Sequence, residues 1–308
     1  MPIILSENFR ALFYAPFYAA EATGAFKEAG IEVELRASPE PMAAVAALKA
    51  GEVDVMWGGP LRVMIAHQAD PKCDLVCFCD VVARDPFFLI GSRPRPDFAL
   101  SDLGYTKFAT VAEVPTPWIC LQDDLRREGV DPVGLTRLAD RTMAENEAAL
   151  AAGTIEAVQL FQPHAERLIR SGKGHVWYAA ARRGRTAYTT LVTRRGTLEK
   201  RAEELARMVR AFHRTLGWFA GATALEIAAV IASYFRDVPV PLLAQCIERY
   251  RGLELWAADP VIRRDGYDRL HAAMRSAGML MRDIAFEAVV DTGMAEDARR
   301  IAQNRKAG

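Results

Sequence analysis

Short apolar runs alternate with helical patterns along the first part of the chain. The runs predict strands at 3–5, 31–36, 53–57, 75–82 and 87–92. Helical patterns follow Pro16, Pro41 and Pro60, and glycines such as Gly24 and Gly51 end two of them. Because strands alternate with helices and the strands lack polar alternation, we expect a mostly parallel sheet with helices on both faces.

A Pro- and Arg-rich stretch at 92–104 interrupts this series and predicts a crossing into a second lobe. A second α/β series then begins. Strands are predicted at 108–112, 157–161, 176–179 and 186–193, with helices at 117–128, 142–152 and 163–172. Thr142 and Glu145 have the spacing of a capping box. From Thr197 onward the pattern is helical, and 308 residues suit two lobes better than one small core.

Four prolines each follow a predicted strand and are expected at the first position of a helix: Pro16, Pro60, Pro117 and Pro163. Proline is common at that position, so one case alone carries little information. Two cases in each half are more informative, since ligands of open α/β sheets bind beyond the carboxyl ends of strands, where helices begin. We therefore expect the two halves to direct helix starts toward one cleft.

The loop after the first strand offers charge, hydrogen-bonding groups and aromatic faces within a few positions. Its candidate ligand-binding residues are Asn8, Phe9, Arg10, Phe13 and Tyr14. Phe13 also fits a role in the core. The turn after the third strand adds Trp57, Gly58, Gly59 and Arg62. Tryptophan offers a stacking face, glycine permits close approach of the backbone, and arginine pairs with anions, although Arg62 fits a surface salt bridge equally well.

The second half supplies candidates at two further helix starts and on the returning strand. They are Glu113, Thr116 and Trp118 at the first start, Gln162 and His164 at the second, and Tyr188 on the strand. Thr116 also fits a simple capping role. His164 has no cysteine or second histidine at ligand spacing, so we do not expect it to bind a metal.

Charge and apolar content narrow the function classes. Lys plus Arg equals Asp plus Glu at 39 each, so no overall field attracts nucleic acid or a membrane surface. No apolar run approaches the length of a membrane span, and no secretory signal follows Met1. We expect a periplasmic location if an export signal has been removed and a cytoplasmic one if Met1 is the native start. The five cysteines indicate neither a disulfide framework nor a zinc site, and no cofactor is expected.

Several segments resemble the type II periplasmic binding proteins. Within them, the chain is most similar to the branch named after yeast thiamin-precursor synthases, which includes nitrate, sulfonate and pyrimidine-precursor binders. The likeness rests on YAPFYAAEATGAFKEAGIEVEL, ALKAGEVDVMWGG, EAALAAGTIEAVQLFQPHAERLI, LWAADPVIRRDGYDRLHAAMRSAGML and FEAVVDTGMAEDA. It covers nearly the whole chain.

The resemblance implies two α/β lobes, the first made of residues 1–92 and 190–308 with the C-terminal helices, and the second of residues 93–189. It further implies a non-catalytic protein that traps a small organic ligand, anionic or heteroaromatic, between the lobes. Such proteins usually deliver their ligand to an ABC-type permease. No nucleic acid and no membrane insertion are implied.

An enzymatic alternative stays open, because relatives with this fold include a thiamin pyrimidine synthase and a sulfinate desulfinase. This alternative is a cytosolic enzyme acting on a thiamin-related or aromatic acid substrate. The cysteine-rich CCCFC run of the synthase has no counterpart at the matching place, since VCFC lies on a first-lobe strand. Arg62 falls about where that enzyme has a functional histidine. Cys120 would need a base to act as a nucleophile, and no histidine is near it in sequence.

Overall fold

Two five-stranded sheets organise the computed structural model, which describes residues 1–38 and 41–307. The first sheet has the order β2-β1-β3-β10-β4, with β1 Ile3–Glu7, β2 Val33–Ala37, β3 Val55–Gly58, β4 Leu75–Val82 and β10 Thr189–Arg194. The second has the order β7-β6-β8-β5-β9, with β5 Phe88–Gly91, β6 Phe108–Val111, β7 Arg137–Arg141, β8 Ala157–Leu160 and β9 His175–Ala179. We call the regions around these sheets lobe 1 and lobe 2.

Each sheet is parallel except for one strand. In lobe 1, β10 runs antiparallel to β3 and β4, and in lobe 2, β5 runs antiparallel to β8 and β9. Both are the first strands that the chain forms after it crosses from the other lobe. The strands β3, β5, β6 and β8 inside the sheets, and the edge strand β4, are buried along their whole length, as expected when helices cover both faces. The predicted α/β architecture is confirmed.

The helices flank these sheets. In the first part of the chain they are α1 Ala15–Ala22, α2 Ala25–Glu28, α3 Pro41–Ala50 and α4 Pro60–Ala69. Lobe 2 contains α5 Thr116–Arg127, α6 Met143–Ala151 and α7 His164–Arg170. The last part forms α8 Arg195–Lys200, α9 Ala202–Gly221, α10 Ala224–Ile231, α11 Val240–Arg251, α12 Arg264–Ser276, α13 Phe286–Val289 and α14 Gly293–Ala307. Short 3-10 helices occupy Leu12–Tyr14, Leu100–Tyr105, Pro132–Gly134, Ala180–Arg183 and Ala232–Tyr234. Among the described helices, none combines the length and apolar character that crossing a membrane requires.

The sheets separate earlier in the chain than the predicted lobe boundary at residue 92. Strand β5 pairs with β8 and β9, so it belongs to the second sheet, and the first crossing lies at 83–87. The Pro- and Arg-rich stretch that suggested the boundary follows β5 and leads into the 3-10 helix at Leu100–Tyr105. Proline and arginine therefore marked an exposed turn of lobe 2 and not the crossing. The return crossing lies at 180–188, directly before β10.

Two C-terminal helices also contact lobe 2. On α11, Arg249 pairs with Glu166 of α7, with 2.5 Å between Nε and Oε2. On α12, the Ser276 hydroxyl lies 2.7 Å from a guanidinium nitrogen of Arg126, on α5. The C-terminal helices therefore bridge the two lobes in addition to covering lobe 1.

A buried ion triad ties the two crossings together. Arg183, in the return crossing, donates from Nη1 to Asp85 in the first crossing over 2.5 Å and from Nε to Asp124 of α5 over 2.8 Å. All three side chains are almost fully buried. The Tyr178 hydroxyl also donates to Asp124, over 2.7 Å. Arg183 therefore joins both chain crossings to lobe 2.

We expect Arg183→Ala to lower the free energy of unfolding by about 3–5 kcal/mol, because it leaves two buried carboxylates without their cation. Urea unfolding followed by circular dichroism measures the change. The control is Arg207→Ala, which removes an arginine from an exposed ion pair with Glu203 and is expected to cost about 0–1 kcal/mol. Equal losses in the two variants would contradict a stabilising role for the triad.

Candidate functional site

A crevice between the lobes contains two neighbouring cavities. The inner chamber, of about 30 Å³, lies between the starts of α4 and α5, and the outer chamber, of about 530 Å³, lies between the loop after β1 and the starts of α6 and α7. Phe9 of lobe 1 and Val114 of lobe 2 line both chambers. The inner chamber has about the volume of one water molecule in the liquid, whereas the outer one is in the range of small-molecule sites.

Most residues predicted from the sequence line this crevice. Those in the inner chamber are Asn8, Phe9, Phe13, Tyr14, Gly59, Arg62, Thr116 and Tyr188. Those in the outer chamber are Phe9, Arg10, Glu113, Gln162 and His164. The two sets come from the carboxyl ends of β1, β3, β6 and β8 and from the return crossing. The fold therefore brings together residues that are far apart in sequence.

The helix starts at the inner chamber have no side-chain caps. Gly59 is the N-cap of α4 and Pro115 is the N-cap of α5, and neither helix has a side-chain hydrogen bond at that end. Pro60 and Pro117 have no N–H, and the Arg62 N–H donates to the Gly59 carbonyl over 3.1 Å, so only the other first-turn N–H groups are left for another acceptor. Thr116 occupies the first position of α5 and does not cap it, so the capping interpretation of Thr116 is wrong.

The four prolines begin their helices at three different positions. Pro60 is the first residue of α4, as predicted. Pro16 and Pro117 are the second residues of α1 and α5, and Pro163 is the N-cap of α7. The prediction that each proline occupies the first helical position is therefore wrong for three of the four. The starts of α4, α5 and α7 line the two chambers, whereas Pro16, which follows the 3-10 helix Leu12–Tyr14, lines neither of them.

At the outer chamber, protein groups occupy the helix starts. The Glu113 carboxylate accepts from the N–H of Met143 over 2.8 Å, and Thr142 with Glu145 forms the predicted capping box of α6. The Gln162 side-chain oxygen accepts from the N–H of Glu166 over 2.8 Å. These bonds hold both side chains in place and use oxygens that the sequence suggested for a ligand.

Arg62 brings positive charge into the inner chamber. It is the third residue of α4 and is half-buried. Burial lowers the pKa of its guanidinium, and the nearby phenols of Tyr14 and Tyr188 oppose that shift, so the group stays charged near neutral pH. Burial raises the pKa of Tyr14 to about 12, so this phenol remains a neutral hydrogen-bonding group. The chamber therefore combines one cation, neutral hydroxyls and two helix starts.

Arg10 contributes less charge than the sequence suggested. Its guanidinium donates to both carboxylate oxygens of Glu7, over 2.7 and 2.8 Å, and lies 5.1 Å from the ring centre of Tyr18. Glu7 is buried and also accepts from the Tyr18 hydroxyl over 2.6 Å. Because Glu7 neutralises it, Arg10 lies at the outer chamber as one half of an ion pair.

Aromatic rings form the wall between the chambers and the core. Phe13, from lobe 1, meets Phe161, from lobe 2, edge to face at 5.2 Å between ring centres. Phe13 is 1% exposed, so it belongs to the core and lines the inner chamber at once. Phe161 lines the outer chamber and was missed in the sequence, where it read as the last residue of a strand. Its place directly after β8, like that of Asn8 after β1, was the available signal.

Three predicted residues lie outside both chambers. Trp57 is 1% exposed, and its ring stacks on Phe17 of α1 at 4.5 Å between centres. Alternation along β3 directs it into the core, so it offers no stacking face to a ligand. Gly58 pairs with Thr190 within the sheet. The Arg137 guanidinium lies over the indole of Trp118, 4.3 Å from the centre of the indole ring.

Gly59 is needed for close packing at the inner chamber. A Cβ atom at this position would lie 3.0 Å from the carbonyl oxygen of Tyr188, in the return crossing. Glycine therefore lets the start of α4 approach that crossing. Both segments line the chamber.

The described residues contain no group of three or more His, Cys, Asp or Glu side chains placed to hold a metal ion. Cys120 is buried within α5, and burial raises the pKa of its thiol. A thiol held in the protonated form is a poor nucleophile.

We expect Trp57→Ala to lower the free energy of unfolding by about 3–5 kcal/mol, because it leaves a large cavity under α1. Urea unfolding measures this loss. The matched control is Trp118→Ala, a partly buried tryptophan at the edge of lobe 2, for which a smaller loss is expected. A Trp57→Ala protein as stable as the wild type would contradict the assignment of Trp57 to the core.

The chain matches the family model described as "NMT1/THI5 like" over residues 13–222. A relative from Bacillus subtilis (strain 168), named "Putative binding protein YtlA", is 25% identical over 296 residues, which are 95% of this chain and 88% of that protein. The family model spans more than half of the chain.

Solved structures share the fold at low sequence identity. The periplasmic aliphatic sulphonate binding protein SsuA from Escherichia coli has a TM-score of 0.74 and 15% identity, over 92% of this chain and 96% of that one. The desulfurization enzyme DSZB has a TM-score of 0.71 and 12% identity, over 97% and 99%. At such identities the likeness concerns the fold alone, and it confirms the predicted two-lobe architecture. On the strength of the family model, the chain belongs to the NMT1/THI5-like family.

Proposed function

We propose that this chain is the solute-binding protein of an ABC-type importer and that it closes its two lobes over a small organic anion. The observation that carries the proposal is the inner chamber, where Arg62 and the uncapped starts of α4 and α5 surround one small space. Cationic side chains and free first-turn N–H groups together favour an anionic group.

The comparisons support a binding role. The Bacillus subtilis relative carries the name of a binding protein, and the Escherichia coli structure is a periplasmic binding protein for aliphatic sulphonates. A protein that serves an importer meets its solute outside the cytoplasmic membrane, so the periplasm is the compartment that the proposal requires. The permease would be its macromolecular partner.

The shapes of the two chambers indicate the form of the ligand. The outer chamber has the volume of a small-molecule site and is lined by apolar groups such as Phe9, Leu12, Met143 and Phe161. The inner chamber holds only a compact group. We therefore infer a ligand with an acidic head near Arg62 and an apolar or aromatic body in the outer chamber.

An enzymatic role has one supporting observation, the structural likeness to DSZB. The side chains around the chambers do not favour it. Among the described residues that line them, none is a cysteine, and His164 at the outer chamber is held by Glu147 over 2.5 Å. The chambers therefore offer groups that bind and orient a ligand more readily than a nucleophile paired with a base.

We expect Arg62→Met to weaken binding of a sulfonate or carboxylate about 10- to 100-fold, because it removes the charge-assisted contact to the acidic head while keeping a long side chain. Isothermal titration with ethanesulfonate, benzenesulfonate, benzoate and the neutral analogue benzamide tests this. Arg207→Met, on the exposed face of α9, is the control and should bind as the wild type does. Unchanged affinity of Arg62→Met for the anion that binds best would contradict the assignment of the head group.

Native mass spectrometry of freshly purified protein separates binding from catalysis. We expect a co-purified small molecule whose mass stays constant during incubation, since a binding protein releases its ligand unchanged. The same sample after denaturation and refolding serves as the ligand-free control. Conversion of the bound molecule over time would support the enzymatic role instead.

A further inference from the structure

A third cavity, of about 220 Å³, lies beside the two chain crossings. It shares no lining residue with the inner or the outer chamber. Its walls come from the end of β4, from both crossings and from the segment between α11 and α12. We call it the hinge cavity.

Asp80 of β4 is a buried carboxyl group at the hinge cavity. It is 3% exposed, and its Oδ1 has no hydrogen-bond partner within the described protein. Its backbone N–H donates to the carbonyl of Pro260, over 2.8 Å, so the strand position is fixed. A buried carboxyl without full hydrogen bonding destabilises the fold, and such groups concentrate where a ligand binds.

The arginines of the hinge cavity already have carboxylate partners. Arg84 pairs with Glu254, and Arg263 pairs with Asp259. Arg185 lies 3.4 Å from Asp265. These guanidinium groups have carboxylate partners, whereas Asp80 forms no ion pair of this kind. Once the Asp80 carboxyl is ionised, the group that would complete the cavity is a cation.

We propose that the hinge cavity binds a small organic ammonium ion, with the Asp80 carboxylate as its anion and the Trp256 indole as an aromatic wall. Trp256 lines the cavity, and indole faces attract alkylammonium ions. A volume of about 220 Å³ admits an ion of a few heavy atoms. The described residues offer no cluster of three acidic, His or Cys ligands for a metal ion, which favours an organic cation.

Trp256 also links the hinge cavity to the crevice. Its Nε1 donates to the carbonyl of Phe13 over 2.9 Å, and Phe13 lines the inner chamber. A cation beside Trp256 would therefore contact a residue that is hydrogen-bonded to Phe13, in the wall of the proposed solute site.

The proposed binding depends on pH in a defined direction. The pKa of Asp80 is raised to about 8, chiefly by burial and also by Asp259, while a hydrogen bond from the Val81 backbone and the charges of Arg263 and Arg185 oppose the rise. Arg84 and Glu254 also face the cavity. The ammonium ion pairs with the ionised carboxylate, whose fraction grows as pH rises through about 8. Affinity for a cation that cannot lose a proton should therefore increase about tenfold from pH 7 to pH 9.

Titration calorimetry with tetramethylammonium chloride at pH 7 and pH 9 tests the proposal on the intact protein. The wild type should bind this ion about tenfold more tightly at pH 9. Asp80→Asn, which keeps the size of the side chain, should lose this binding at both pH values. Asp237→Asn, which removes an exposed carboxylate elsewhere, is the matched control and should behave as the wild type.

Any of three results of this titration would overturn the proposal: no binding to the wild type at either pH, affinity that does not change with pH, or equal binding by Asp80→Asn. Preference for sulfate over tetramethylammonium would do the same, since it would assign the cavity to the arginines. The pH dependence of the wild type decides the matter even if Asp80→Asn is poorly folded.

Discussion

Backbone N–H groups in the first turn of a helix have no partner inside that helix, and the site between the lobes depends on this constraint. At α4 and α5, no side chain supplies the missing acceptor. At α6 and α7, Glu113, Thr142 and Gln162 do supply it. The contrast divides the crevice into a chamber whose helix starts have no side-chain acceptor and a chamber whose helix starts are already satisfied.

The same architecture determines what must move when the lobes separate. The Phe13–Phe161 contact closes the crevice from within, and the Arg249–Glu166 pair joins α11 to lobe 2 from outside. The Gln162 N–H also donates to the Tyr250 hydroxyl of α11, over 2.9 Å. The buried triad around Arg183 lies at the crossings themselves. Because separating the buried charges of this triad would be costly, we expect opening to keep the triad as its pivot and to break the contacts of Phe161, Glu166 and Gln162.

The architecture could be predicted from the sequence because local residue patterns mark the strands and helices from which it is built. Continuous apolar runs indicated the buried strands, and glycines and the Thr142 capping box marked helix ends. The strand β7, with the sequence RLADR, was missed because it is half-exposed at a sheet edge and has no apolar run. The crossing was misplaced because Pro and Arg residues mark exposed turns, whether or not the chain changes lobe there.

The site was harder to predict, because strand position alone does not give the direction of a side chain. Trp57 and Arg62 lie close in sequence, yet the pleat of β3 buries the first while α4 turns the second toward the chamber. The partners of charged side chains could not be predicted either. Nothing in the local sequence indicated that Glu7 would neutralise Arg10 or that Glu113 would bind the start of α6. Such pairings depend on the tertiary fold.

The most direct test of a solute site between the lobes is a crystal structure of the protein with its best-binding organic anion. We expect electron density for the acidic group against Arg62 and the first turns of α4 and α5, with the body of the molecule beside Phe9 and Phe161. Density for the anion anywhere else, with the crevice still closed by Phe13, would contradict the account.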